Sequence, residues 1–586
     1  MTETLDRLRA IRNRRIRLIL AVACLSVLVL AGPLAAAPAY PVKVGPTGRY
    51  LVDQNGAPFL IVGESPQAMI GRLSEAEAEL FFANRQSHGF NTVWINVLCA
   101  SYTGCNGDGS TFDGIPPFNV AGDLTTPNEA YFARVDAILR LAARYGFLVI
   151  LDPAETGSWL AVLYANGEDH CRAYGRFLGQ RYAGFDNIVW MHGNDYQDWG
   201  PDNDPFTTAV ARGIKDFDGR HLHTVELNFF VSSSTDDPAW APIIDLNAAY
   251  SYDPVYVEIL KDYNRGDGLP VFLVESGYEF EIGDSQAMRA QAYWAVLSGA
   301  TGQMYGNHYT WPFLEGWQDA LNSPGAVQMA NFTALFQSRP WHELVPDQDH
   351  SVVKSGLGNF GSSDYVTAAR TPDGRLVMAY VPTARTVTVD MGRLSGPATA
   401  RWYDPASGTF VTISDSLSNS GLVPFTTPGG NADGDEDWVL VLEAAPASRP
   451  SFIELSTAAD TYRPGDQLEV FLRAFNGAPP STRELVAGVL LPDGYTVVYF
   501  TGPNVIGGAA TLDSLGDLRP LAALASGQFL ELSGGNPLIA FRVPDGIPRG
   551  IYTWFAALVS PGALADGFLR QGEVDVLALR SVTLRP

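Results

Sequence analysis

Two carboxylates in the first half of the chain follow apolar runs that a hydrophobic core would otherwise claim whole. Asp195 closes NIVWMHGND (187–195), and Glu275 follows Val271-Phe272-Leu273-Val274 directly. A carboxylate so placed needs hydrogen-bond partners or a task, because an unpaired charge among apolar groups is strongly unfavourable. Two such groups facing one another can divide the work of breaking a glycosidic bond. One stays ionised and attacks the anomeric carbon. The other stays protonated and donates to the leaving oxygen, about 5 to 5.5 Å away when configuration is retained. In that division Glu275 is the expected nucleophile and Asp195 the expected acid/base, kept protonated by apolar surroundings at Val189, Trp190 and Met191.

A ring of polar residues occupies equivalent places after the other apolar runs: Glu64, Asn96, Asp152, Asn194, Glu226, Tyr250, Tyr252, Asn307 and His308. Tyr250 or Tyr252 is expected to donate a hydrogen bond that holds Glu275 ionised, and Asn194 to bind the sugar hydroxyl beside the reacting carbon. Glu64 and Glu226 are rivals for either acid role, and Asp152, before Pro153, fits an orienting role in its loop. Trp311 is the first candidate for stacking on a sugar face, ahead of Trp94, Trp159, Trp199 and Tyr309. The expected substrate-binding set is therefore Glu64, Asn96, Asp152, Asn194, Glu226, Tyr250, Tyr252, His308 and Trp311.

The elements that must hold this ring are legible as short apolar runs alternating with helical patterns, the mark of βα units on a parallel sheet. The runs are PFLIVGES (58–65), NTVWINVLC (91–99), FLVILDP (147–153), NIVWMHGND, HTVELN (223–228), DLNAAYSY (245–252), PVFLVESGY (270–278) and GQMYGNH (302–308). Between them SEAEAELFFANRQSHG opens on the N-cap candidate Ser74 and ends at Gly89, and YFARVDAILRLAARYG and SQAMRAQAYWAVLSGA repeat apolar residues at helical spacing. The count predicts an α/β fold, a (β/α)8 TIM barrel over residues 40–345, with the ring at the carboxyl ends of its strands. A dinucleotide-binding sheet is disfavoured, since no G-x-G-x-x-G opens a helix after a strand.

Past residue 345 the helical period gives way to alternating strands: GRLVMAYV, RTVTVDM, ARWYDPASGTFVTI and DWVLVLE. They predict a β-sandwich over 346–443. AAPASRP (444–450) reads as a linker, and QLEVFLRAFN, ELVAGVLLPDG and GIYTWFAALVSPG as a second, immunoglobulin-like β domain over 451–586.

Composition narrows the partners. Asp and Glu number 63 against 39 Lys and Arg, a net charge of −24, which repels nucleic acid and acidic lipid. Residues 1–39 place six arginines before the apolar run Leu18–Ala31 and end on small residues, the order of a signal peptide. Its 14-residue apolar run is short for a membrane span of about 20, so the expected location is secreted or periplasmic, with no membrane contact after cleavage. Cys24 is discounted as a lipidation site because the apolar run continues past it. Cys99 and Cys105 suit a disulfide in such a compartment, and Cys171 falls in a helical pattern as a buried thiol. No CxxC or HExxH occurs and the eight His are scattered; His221 and His223 read as ordinary strand residues, and no metal or organic cofactor is expected.

Residues 41–345 resemble the apiosidase-like glycoside hydrolases, family 140 of the retaining clan A of (β/α)8 enzymes. The resemblance lies in GRYLVDQNGAPFLIVGES, SHGFNTVW, WMHGND and VFLVESGYE. It implies an Asp acid/base at Asp195 and a Glu nucleophile at Glu275. Residues 346–443 resemble the collagen-binding-type β-sandwich that follows such barrels, through WYDPASG and DWVLVLE. Two departures fall in the pocket: Gly63-Glu64-Ser65 where the family has Gly-Asp-Thr, and His192-Gly193-Asn194-Asp195 where it often has Gly-Gly-Asp before the acid. The expected function is a secreted retaining hydrolase of polysaccharide or oligosaccharide side chains, an apiosidase or a related arabinosidase or galactosidase. The alternative is a carbohydrate-binding or adhesin protein on a decayed hydrolase barrel.

Overall fold

Burial on both faces makes a strand read as an unbroken apolar run, and eight such runs form parallel strands here. They are β1 (Ile61–Glu64), β2 (Thr92–Asn96), β3 (Leu148–Asp152), β4 (Ile188–Tyr196), β5 (His223–Leu227), β6 (Asn247–Ser251), β7 (Val271–Glu275) and β8 (Gly302–Tyr305). The computed structural model describes residues 38–444, 451–477, 482–525, 528–533, 537–565, 567 and 573–585. Of the expected signal segment 1–39 and the expected linker 444–450, residues 1–37 and 445–450 lie outside the described residues.

Hydrogen bonds join the strands in the order β5-β4-β3-β2-β1-β8-β7-β6, and Val231–Ser233 adds an antiparallel ninth strand along β6. The sheet is thus nearly closed and barrel-like. No ladder joins β5 to β6; instead the Ser234 hydroxyl donates to the Val225 carbonyl (2.6 Å) and accepts from the Ala248 amide (2.8 Å). At the amino end of the seam the Asp245 and Leu246 amides donate to the His223 carbonyl (2.8 and 3.2 Å).

Alternate residues of each strand point two ways. Trp94, Ile150, Val189, Met191, Phe272 and Met304 fill the interior, while Val93, Ile95, Leu151, Trp190 and Leu273 pack outward with the helices. The helix Glu75–Ser87 starts as expected: Ser74 caps it in a reciprocal capping box with Glu77, and the chain leaves it through Gly89 at φ +79°. The helix Ser285–Leu297 is capped by Asp284. Cys171 is a buried thiol in the stretch Thr156–Tyr182, which breaks at Gly167, and Cys99 is joined to Cys105.

Residues 345–444 form two antiparallel sheets of six and three strands. Met378, Tyr380, Val439 and Val441 share one core with the barrel-like domain's Tyr293 and Trp294, and Tyr293 stacks on Tyr380 with ring centres 5.2 Å apart. Arg289 crosses that contact fully buried and donates to both oxygens of the buried Asp437 (3.0 and 2.8 Å) and to Asp435 (2.8 Å). Residues 451–585 form a separate all-β unit with its own core, in which Leu468, Val470, Leu485 and Trp554 take part. Among the described residues no helix is long and apolar enough to cross a membrane.

Removing one partner of a buried ion pair strands the other without compensation, at about 3–5 kcal/mol. Arg289→Met is therefore expected to lower stability by about that amount in urea denaturation. A loss under 1 kcal/mol would mean that Asp437 finds water when its partner goes.

Candidate active site

The carboxyl end of β4 turns through three successive residues in the left-handed region: Gly193 (φ 110°), Asn194 (φ 60°) and Asp195 (φ 53°). For a residue with a Cβ this conformation costs roughly 1–2 kcal/mol, so neighbours must hold it. At Gly193 a Cβ would fall 2.1 Å from the Glu226 carbonyl oxygen, which admits only glycine. Thr156 Oγ1 donates to the Gly193 carbonyl (2.8 Å). Asn96 Nδ2 donates to Asn194 Oδ1 (2.7 Å), and Trp94 Nε1 fixes Asn96 in turn (2.9 Å). The Asp195 amide donates to Glu226 Oε2 (3.1 Å). Strands β2 and β5 and the helix that begins at Thr156 together hold the backbone that carries Asp195.

Glu275, at the end of β7, is buried among tyrosines, and among the described residues no cation is bonded to it. Tyr250 donates to Oε1 (2.8 Å), and Tyr278 donates to Oε2 (3.1 Å). Tyr252 stands beside Tyr250, 3.1 Å from its hydroxyl and 3.4 Å from Glu275 Oε1. Gln67 Nε2 donates to the Tyr278 hydroxyl (3.3 Å), leaving that hydroxyl's proton for Glu275.

Asp195 Oδ2 accepts from the Tyr102 hydroxyl (2.6 Å), which is itself met by Gln197 Nε2 (3.3 Å). Oδ1 has no partner. Tyr250, whose hydroxyl donates to Glu275, also acts to lower the pKa of Asp195. Beside Asp195 opens a cleft of about 530 Å³ whose wall includes Tyr102, Tyr164, Gln197, Asp198 and Asn203.

Burial raises the pKa of all three acids. Glu275 is pushed well above the ordinary carboxylate range by burial and then by the Asp195 charge, with Tyr250 and Tyr278 acting against it. Asp195 is raised by burial, opposed by Tyr102 and Tyr250. Glu226 is pushed well up by burial, then by the charges of Glu275 and Asp195.

The sequence-predicted residues divide. Asp195, Asn194, Glu226, Tyr250, Tyr252 and Glu275 come together. Asn96 meets them as a support: it is fully buried and bonds Asn194, whose amide oxygen is thereby taken. Glu64 stands apart. It is 1% exposed, paired with the buried Arg85, and accepts from Thr310 Oγ1 (2.6 Å), so its carboxylate is satisfied inside the wall. Asp152 is fully buried and accepts from the Ala154 amide (3.2 Å), which orients its loop. His308 is part-exposed at the rim, 3.9 Å from Glu281. Trp311 is part-buried, its carbonyl accepting from the Ala68 amide and its indole N–H without a partner. Trp94 is sealed in the interior and offers no face to a sugar.

The reason expected for a raised Asp195 pKa needs correction in one respect. Trp190 points away, its indole bonded to Asp218 (2.9 Å), while Val189 and Met191 lie deeper in the barrel interior. Tyr102 and Tyr278 were missed. Tyr278 had a signal, standing three residues after Glu275 in VESGY; Tyr102 had none beyond its place between two cysteines.

Similarity to solved structures gives the class. One described as a glycoside hydrolase shares 25% identity over 70% of this chain and 97% of its own, with a TM-score of 0.62. A second, a glycoside hydrolase family 5 protein from Bacteroides vulgatus, shares 24% identity over 69% of this chain and 93% of its own, with a TM-score of 0.61. The fold is that of glycoside hydrolases. Residues 46–343 match the family model described as "Apiosidase-like, catalytic domain", and the chain belongs to that family. Residues 345–443 match "Putative collagen-binding domain of a collagenase". No curated protein matches the chain.

The raised Glu226 pKa makes a prediction about stability. A carboxyl group that binds its proton more tightly in the folded chain loses stabilisation as pH rises from its unfolded pKa, about 4.3, through its folded one. Glu226→Gln, which cannot ionise, is expected to lose less stability than wild type between pH 4.5 and pH 8 in urea midpoints. Equal losses would mean that Glu226 is ionised at no cost to the fold.

Proposed function

We propose that the chain is a secreted retaining glycoside hydrolase with a (β/α)8 catalytic barrel, acting on side chains of polysaccharides or oligosaccharides. The observation that carries this reading is the placement of Glu275 and Asp195 at the carboxyl ends of β7 and β4, close enough that the Asp195 charge raises the Glu275 pKa. A retaining pair requires that proximity. The two acids are not equivalent. Glu275 receives hydroxyl donors on both oxygens, which stabilise a carboxylate, whereas Asp195 has one oxygen occupied and the other without a partner. With charge on one disfavouring charge on the other, the negative charge settles on Glu275 and the proton on Asp195.

In the first step Glu275 attacks the anomeric carbon as the glycosidic bond breaks, and Asp195 gives its proton to the departing oxygen. Tyr102 occupies Oδ2 as a donor, so the transferable proton sits on Oδ1. In the second step Asp195, now ionised, takes a proton from water as the water oxygen attacks the glycosyl–Glu275 ester, which releases the sugar with its original configuration and restores both groups. Glu226 is a positioning residue that fixes the Asp195 backbone. Family membership makes apiose the first sugar to test, and the basic-then-apolar amino terminus supports export.

Sugar release from pectic side chains and aryl glycosides tests the reading, with product configuration followed by NMR. Wild type is expected to give the retained anomer, and Glu275→Gln to lose at least ~10³-fold in kcat, because it removes an interaction made in the transition state. An inverted product, or near-wild-type turnover by the variant, would overturn the assignment. Tyr102→Phe removes a donor that stabilises the Asp195 anion, so the basic limb of its kcat/KM profile is expected to move to higher pH. An unmoved limb would separate Tyr102 from the acid.

A further inference from the structure

One buried acid beyond β7 has no part in the two steps above. Glu279 lies four residues after Glu275 and is 2% exposed. Burying a carboxylate is costly unless donors meet it, and three meet this one: the Ser323 hydroxyl (2.7 Å), the Gly325 amide (2.9 Å) and the Tyr305 hydroxyl. Ser323 and Gly325 stand at the start of the helix Pro324–Gln337, and Tyr305 ends β8. The approach is close, since a Cβ at Gly325 would fall 2.7 Å from Glu279 Oε2.

The Glu279 backbone is tied to the same side. Its amide donates to the Gly306 carbonyl (2.9 Å), and its carbonyl accepts from the His308 amide (2.9 Å). Between these bonds and β7 stands Tyr278. Its ring packs on Gly306, where a Cβ would fall 2.0 Å from it. Its carbonyl accepts from the amides of Glu281, Ile282 and Gly283 (3.1, 3.1 and 3.2 Å), and its hydroxyl ends on Glu275 Oε2 (3.1 Å). We propose that Glu279 is a positioning residue for the nucleophile: it clamps the loop after β7 to the loop after β8 and to the start of the helix Pro324–Gln337, and so keeps the Tyr278 hydroxyl on Glu275. The proposal rests on the reading of Glu275 as the nucleophile. None of the bonds named for Glu279 goes to Glu275, so it acts through Tyr278.

Tyr278 opposes the rise that burial imposes on Glu275. A loop freed at Glu279 lets that hydroxyl drift, and Glu275 then keeps its proton to higher pH. The sign of the change identifies its cause. Removing the Glu279 charge with Tyr278 still in place would favour the Glu275 anion and move its titration to lower pH. Loss of position moves it to higher pH.

The test is carbon-13 NMR of the full chain labelled at the glutamate side-chain carboxyl, with Glu275→Gln identifying the signal. Tyr278→Phe is expected to raise the Glu275 titration by about one pH unit, the size of one lost hydrogen bond to a charged group. Glu279→Ala is expected to raise it as far, and the double variant no further, since both act through one hydroxyl. Glu279→Gln, whose amide can accept from Gly325 and donate to the two hydroxyls, is expected not to raise it. Where Glu279→Ala does not fold, Glu279→Asp, which keeps the charge and falls one methylene short, carries the same expectation. Glu275 titrating as in wild type or at lower pH in Glu279→Ala or Glu279→Asp would overturn the proposal. Shifts that add in the double variant, or a rise in Glu279→Gln equal to that in Glu279→Ala, would overturn it too. Turnover of aryl glycosides, run in parallel, reads the nucleophile separately. Near-wild-type turnover by Glu275→Gln rejects that assignment, whereas a silent Glu275→Gln with an unmoved titration in the Glu279 variants rejects the clamp alone.

Discussion

The site depends on holding three carboxylates at one barrel mouth without a cation. Asp195, Glu226 and Glu275 are drawn from β4, β5 and β7, and their hydrogen-bond partners are phenols and a backbone amide. An arginine there would pin every acid in its ionised form and abolish the inequality that acid and nucleophile need. Tyrosyl hydroxyls act differently. They oppose the rise that burial imposes without abolishing it, at Glu275 through Tyr250 and Tyr278 and at Asp195 through Tyr102. The two arginines buried in the barrel-like domain are both committed elsewhere, Arg85 to Glu64 in the wall and Arg289 to Asp437 at the sandwich.

Much of the surrounding architecture follows from aiming those groups. The left-handed turn at Gly193-Asn194-Asp195 is unfavourable by itself and persists because β2, β5 and the first residue of the helix Thr156–Tyr182 each contribute a bond to it. The disulfide Cys99–Cys105 closes the loop that carries Tyr102 against Asp195. The β-sandwich buries its aromatic face on the helix Ser285–Leu297, which follows β7 and Glu275. Stability and the barrel-like sheet are therefore linked through that helix, which packs on the sandwich on one side and on β8 on the other.

The strands were legible because both faces are buried, which turns each into an apolar run with a polar residue at its end. Asp195, Glu275 and Tyr250 were legible for the same reason. The ends of β1 and β7 look alike in sequence, GES and VES, yet Glu64 is a structural partner and Glu275 is not. The difference is Arg85, 21 residues after Glu64, on the helix stripe that buries Ala78, Phe81 and Phe82. A charged residue on an apolar stripe announces a buried partner, and that signal was present in FFANRQ. Tyr102 had no such signal, since its place depends on how the loop closed by the disulfide folds over the mouth. The seam between β5 and β6 was hidden too, because a serine hydroxyl and two backbone bonds to His223 stand there in place of a ladder.

The central claim is that Glu275 carries the negative charge and forms the bond to sugar. Rapid-quench mass spectrometry with a slowly hydrolysed glycoside tests it most directly, since a retaining enzyme accumulates a glycosyl ester. The account predicts a mass increment of one glycosyl unit on the peptide containing Glu275. An increment on Asp195 or Glu226, or turnover with no covalent species and an inverted product, would contradict it.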